Sequence, residues 1–125
     1  MTIQGLKSVF FFLLIVSVEI LLASCSGKES SHVVINVPTI QCSTCKKNIE
    51  DALYRVRGVI NVHVSKRDKI AEIDYDSRKI DVIKLENTIT SIGYDANDKK
   101  ADTIAYQNLK DCCKLPTDQK EKNNH

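Results

Sequence analysis

The chain has 125 residues, 42% of them hydrophobic and 27% charged, with 18 basic and 16 acidic side chains for a net charge of +2. A chain of this size holds one small domain with a single modest core plus extensions, which excludes a multidomain enzyme. The near-balanced charge, with no basic arm carrying interleaved aromatics, excludes a nucleic-acid binder of the usual electrostatic kind and identifies no other partner.

The first 24 residues differ from the rest: Lys7 precedes an apolar run from Val9 to Val18, followed by Glu19 and then Ile20-Leu21-Leu22-Ala23-Ser24-Cys25. A spanning helix needs about 20 apolar residues, and a carboxylate within it is costly. The run falls short of that, so residues 1–24 read as a signal peptide and not as part of the fold. Its end, Leu22-Ala23-Ser24-Cys25, resembles a bacterial lipobox, and the resemblance implies that Cys25 becomes an acylated first residue. Residues 25–31 are then a lipidated tether to an envelope membrane, on its periplasmic or outer face, and Gly27-Lys28-Glu29-Ser30-Ser31 has the small, polar character of one. A plain cleaved signal and an uncleaved anchor are the alternatives.

Val33, Ile35 and Val37 alternate with Val34 and Asn36 until Pro38, the pattern of a half-buried strand. A loop through Ile40 and Cys42 leads into a helix over residues 43–55. Cys45, Ile49, Ala52 and Leu53, continued by Val56, recur at helical spacing there, opposite Lys46, Lys47, Glu50, Asp51 and Arg55, and Gly58 supplies the stop. Val62 and Val64, then Ala71, Ile73 and Tyr75, alternate with polar residues on either side of Lys66-Arg67-Asp68-Lys69, which predicts a hairpin. Asp81 is an N-cap for a second helix carrying Val82, Leu85, Ile89 and Ile92 and closed by Gly93, and Tyr94-Asp95-Ala96 begins a short last strand.

The order β-α-β-β-α-β predicts an α+β, ferredoxin-like sandwich over residues 32–97, with two helices covering one face of a four-stranded antiparallel sheet. Residues 98–115 form an extension in which Ala101, Ile104, Ala105, Leu109 and Cys112 predict one short helix, and the polar residues 116–125 read as a disordered tail.

Chemistry concentrates in Ile40-Gln41-Cys42-Ser43-Thr44-Cys45, a C-x-x-C between the first strand and the first helix. Thiolates are soft ligands for Cu(I), Hg(II) and Zn(II), and this spacing lets two sulfurs converge on one ion as the chain turns into a helix. Unpaired N–H groups and the macrodipole of the first turn favour thiolate charge at Cys45, while Cys42, in the loop, is free to grip or release.

Element order, length and motif over residues 33–97 resemble the heavy-metal-associated domain of copper chaperones, mercury-binding periplasmic proteins and the N-terminal modules of metal-pumping ATPases. The C-x-x-C and Ile92-Gly93-Tyr94-Asp95 carry the resemblance. It implies a non-enzymatic metal carrier in which Cys42 and Cys45 hold a soft ion, Cu(I) first and Hg(II) or Zn(II) as alternatives. Ile40 stands where that family usually has Met, a residue that packs beneath the loop. Tyr94 falls beside the metal loop, where it shields the ion or hydrogen-bonds to sulfur, or else it simply packs at a strand start. The implied acceptor is a metal-transporting ATPase or another thiol-bearing protein, towards which Lys46 and Lys47 either steer an acidic partner or merely form a solvated face.

Two other readings of the C-x-x-C compete. A thiol–disulfide oxidoreductase carries the same motif, but the element order is wrong for the thioredoxin fold, no Trp precedes the pair, and no separate late-strand Pro is available. A module that docks on a metal pump or sensor in response to metal is the other.

Cys112-Cys113 departs from the minimal domain. Adjacent residues on a helix diverge by about 100°, so a continuous helix brings at most one of them onto the domain. The pair either adds a third, or a third and fourth, sulfur to Cys42 and Cys45, or forms a separate soft-metal or thiol-transfer site, or enters disulfide chemistry. Its participation decides between delivery and sequestration, because a closed thiolate cage exchanges its ion slowly. His63 lies on the solvent phase of its strand, with His32 in the tether and His125 at the terminus, and all three read as surface residues.

Overall fold

Alternating side chains decide how the sheet is assembled. In this computed structural model, which describes residues 5, 7–9, 11 and 29–121, the strands are β1 (Ser30–Asn36), β2 (Val59–Ser65) and β3 (Ile70–Asp76). They lie in the order β1-β3-β2, all antiparallel. The register sets Ile35 opposite Ala71, Val33 opposite Ile73, and Val62 and Val64 opposite Ile73 and Ala71. Ile35, Val62, Val64, Ala71, Ile73 and Tyr75 therefore share the buried face, and a one-residue slip would turn them all to solvent.

Two helices cover that face. In α1 (Ser43–Tyr54) the buried residues Cys45, Ile49 and Leu53 recur every four positions, a single stripe. In α2 (Val82–Ser91) Leu85 and Ile89 do the same, and the Asp81 carboxylate accepts from the Lys84 N–H at 2.8 Å as the expected N-cap. Gly93, at φ 97°, closes α2 as expected: its N–H donates to Thr90 O and the Tyr94 N–H to Ile89 O, the paired bonds of a Schellman motif. That turn sends Tyr94 into the core, where its side chain is fully buried.

The expected fourth strand is absent from the described residues. Asn97 adopts a left-handed φ of 52°, so the chain makes one rung with β1 and turns away. Its N–H donates to Asn36 O at 2.8 Å, and its side-chain oxygen accepts from the Asn36 N–H at 2.9 Å. Ala96 pairs with Lys99 instead of with the sheet, and the Asp95 carboxylate accepts from the Ala101 N–H and meets Lys100, both at 2.9 Å. These short polar side chains satisfy backbone groups locally, and local bonds compete with a ladder.

The extension also differs from one short helix. It holds α3 (Thr103–Gln107), capped by Asp102, then a 3₁₀ turn over Asp111–Cys113, then α4 (Pro116–Glu121). The Asp102 N–H donates to Thr90 O at 2.9 Å, which ties the extension to the end of α2. Residues 116–121, expected to be disordered, form a helix because Gln119 donates to Asp111 O and Lys114 O at 2.7 and 2.8 Å and Tyr106 bonds to Asp118.

The signal-peptide reading, Cys25 and His125 lie outside the described residues, apart from isolated positions before residue 12. Among the described residues no helix is long and apolar enough to cross a membrane. Ser30 and Ser31, expected in the tether, already belong to β1, on which His32 also stands.

Candidate metal centre

The helix start positions the first two sulfurs. Cys42 is the N-cap of α1, with extended backbone at φ −136°, and Cys45 is the third helical residue. The Cys42 N–H donates to Cys45 Sγ at 3.4 Å while the Cys45 N–H faces Cys42 Sγ. This is a capping box built with sulfur in place of the usual oxygens, and it leaves the sulfurs 3.4 Å apart. Ile40, 1% exposed, is part of the buried core just before the loop. Thr39 braces the same loop by accepting from the Asp95 N–H at 3.0 Å.

The 3₁₀ turn brings the other two. Cys42 Sγ lies 3.3 Å from Cys112 Sγ and 3.7 Å from Cys113 Sγ, and the vicinal pair is separated by 3.9 Å. The sulfurs of Cys42, Cys112 and Cys113 all fall within 4.8 Å of one another. A disulfide needs about 2.05 Å, and all four of these thiols are free. Their divergence along the chain is accommodated because Cys113 enters the core while Cys112 stays at the surface, both against Cys42.

Burial pushes the Cys42 thiol up, but the Cys45 N–H and the thiols of Cys112, Cys45 and Cys113 outweigh it and bring its pKa down to about 6. The lowered pKa favours the thiolate form of Cys42. Burial drives Cys113 the other way, well above the usual thiol range, with the neighbouring sulfurs of Cys45 and Cys42 adding to it and the Tyr94 hydroxyl opposing. Burial raises Tyr94 too, so its O–H remains a donor aimed at Cys113. Tyr94 thus stands beside the Cys113 sulfur.

Asn48 escaped the sequence reading. Its amide donates to the Tyr94 hydroxyl at 3.1 Å and orients it, and the available signal was its position three residues after Cys45 on α1. Lys46 and Lys47 engage Glu50 and Asp51 along the helix, at 3.6 and 2.8 Å, the pairing of a solvated face. His32 bonds to Asp74 at 2.8 Å on the surface and His63 is exposed on β2, so neither belongs to the centre. A basic groove lined by Arg55, Arg57, Arg78, Lys79 and Lys84 lies at the far end of α1 and holds no sulfur.

Comparison with known proteins bears on the family and the fold. Residues 34–95 match the heavy-metal-associated domain model. The mercuric transport protein periplasmic component of Shewanella putrefaciens is 37% identical over 62 residues, covering 50% of this chain and 68% of that one. The copper chaperone CopZ of Staphylococcus haemolyticus is 32% identical over 62 residues, covering 50% and 91%. Among solved structures, oxidized MerP from Ralstonia metallidurans CH34 superposes with a TM-score of 0.53 at 29% identity, covering 54% of this chain and 94% of its own. A CopZ metallochaperone gives 0.52 at 30%, covering 53% and 98%. The extension that carries Cys112 and Cys113 lies beyond the matched residues. With the fold, the loop–helix thiol pair and these relatives in agreement, the chain belongs to the heavy-metal-associated domain family.

Proposed function

We propose that this protein is a non-enzymatic carrier that takes up a soft metal ion through Cys42 and Cys45 and passes it on by thiolate exchange at the bacterial envelope. The observation that carries this reading is the pair of sulfurs 3.4 Å apart at the N-terminus of α1. Cu(I) is the first candidate cargo, since thiolates suit it and a copper chaperone is among the relatives; Hg(II) and Zn(II) follow. The periplasmic relative supports an envelope location.

Exchange proceeds through sulfur throughout. Cys42 is partly exposed and meets an incoming ion first, and Cys45, fixed in the first helical turn, closes on it. An acceptor thiolate then joins the ion before one of the two cysteines leaves, so no bare aqueous ion forms. A metal-transporting ATPase is one acceptor that presents such a thiolate.

The test is competitive titration of the thiol-reduced full chain with Cu(I), Hg(II) and Zn(II) beside a Cys42→Ser, Cys45→Ser variant. One ion per chain, held well above the control, is expected; equal retention by both proteins refutes the carrier. The lipid anchor is tested separately by palmitate labelling, which Cys25→Ser is expected to abolish and which an unmodified wild type would disprove.

A further inference from the structure

We propose that the C-terminal extension completes the metal centre: Cys112 and Cys113 bind the same ion as the Cys42/Cys45 pair, with Cys42 as the ligand common to both. This rests on the carrier reading and deepens it, because it fixes the ligand number and hence how the protein releases its cargo.

Distances decide the coordination. With metal–sulfur bonds of about 2.3 Å, sulfurs stand about 4.6 Å apart in a linear site, about 4.0 Å in a trigonal one and about 3.8 Å in a tetrahedral one. Cys42, Cys112 and Cys113 are separated by 3.3, 3.7 and 3.9 Å, and Cys42 and Cys45 by 3.4 Å. The three mutual separations of Cys42, Cys112 and Cys113 lie nearer the trigonal and tetrahedral spans than the linear one, and Cys45 adjoins that trio through Cys42.

The extension is built to hold this position. Gly93 lacks the Cβ that would come within 2.9 Å of the Tyr106 backbone N and 3.0 Å of the Ala105 carbonyl, so α3 seats directly on it. Asp95 holds Ala101, and the Asp102 N–H reaches Thr90 O. The Cys113 side chain is fully buried in the domain core, next to the Tyr94 hydroxyl. A sulfur placed so deep, outside the family's matched span, gives the extension a purpose at the centre that a free tail would lack.

The donor set is all sulfur, which selects thiophilic ions over Mg²⁺ or Ca²⁺. An ion first taken by Cys42 and Cys45 gains bonds to Cys112 and Cys113, each of which forms as any remaining thiol proton passes to solvent. Cys42 keeps its bond while its partners change. The closed site holds the ion against competing thiols, so the protein sequesters its ion, and delivery requires the extension to lift away.

The experiment loads the reduced full chain with one equivalent of Cu(I) or Hg(II) and reads sulfur number by X-ray absorption and loss of metal to a competing dithiol. Wild type is expected to have three or four sulfurs. Cys112→Ser with Cys113→Ser is expected to have two and to lose the ion faster by at least about ten-fold. Cys112→Ser alone, at an exposed position that leaves the packing intact, is expected to lose one sulfur. Unchanged sulfur number and loss rate in both variants overturn the proposal while leaving the carrier intact. Wild type that binds no better than Cys42→Ser, Cys45→Ser overturns both.

Discussion

Gly93→Ala and Gly58→Ala form a matched pair that separates the extension from the domain. Both glycines sit at left-handed φ, 97° and 112°, where a Cβ is strained by roughly 1–2 kcal/mol. The two differ in what the new methyl meets. At Gly58 it comes within 2.7 Å of the Ile80 Cγ2 methyl and 3.1 Å of Lys79 Cβ, side-chain atoms of the loop before α2. At Gly93 it comes within 2.9–3.0 Å of the backbone of Ala105 and Tyr106, which no rotamer change can move aside.

Urea unfolding of the apo protein is expected to record a loss of at least about 1–2 kcal/mol in both variants, from the shared backbone strain. Only Gly93→Ala is expected to displace α3, and with it the buried thiol of Cys113. Timed alkylation with mass-spectrometric site assignment reads that displacement, as faster labelling of Cys113 in Gly93→Ala and protection as in wild type in Gly58→Ala. Equal protection of Cys113 in the two variants would refute the claim that the extension is seated on Gly93.

Two further outcomes follow from charge. The alkylation rate of Cys42 in the metal-free protein is expected to rise with pH through a midpoint of about 6, as its hydrogen bonds hold the thiolate; a midpoint near the ordinary thiol value of about 8.5 would contradict that arrangement. The Asp76 carboxylate accepts from Arg78 at 3.0 and 3.1 Å and pairs with Lys79 at 3.2 Å, and the Arg78 bonds chiefly hold its pKa below the usual range. Its folded pKa is depressed, so its contribution is present above the unfolded value of about 3.9 and is lost as pH falls towards the folded one. Asp76→Asn is expected to be less stable than wild type at pH 7, with the gap in urea midpoint closing below about pH 4; a gap independent of pH would disprove the linkage.

The fold was legible wherever one face of an element is buried. Val62 and Val64, Ala71 and Ile73, and the stripe of Cys45, Ile49 and Leu53 repeat with the period of their element because they share one core. Tyr94-Asp95-Ala96 misled because three residues carry too little periodicity to tell a strand from a turn. What settles them is the left-handed Asn97 and the use of Asp95 as a cap, and the cue was the polar Asp and Asn around Ala96, residues that favour local bonds. The extension was read as one helix because Ala101, Ile104, Ala105, Leu109 and Cys112 keep helical spacing, but α3 ends at Gln107 with Asn108 as its C-cap.

The site divides along the same line. Cys42 and Cys45 were legible because their approach is made by one helical turn, whereas Cys42 and Cys112 meet across 70 positions of sequence. Only packing brings that contact about, through Gly93, Asp95 and Thr90, none of which carries a sulfur. This has an energetic corollary. Cys113 belongs at once to the domain core and to the cluster of sulfurs, so anything that loosens the extension also pulls a sulfur away from Cys42. An ion that binds the closed arrangement and not the open one then shifts the docking equilibrium towards closure by its differential affinity, and the extension resists opening most when the protein is loaded.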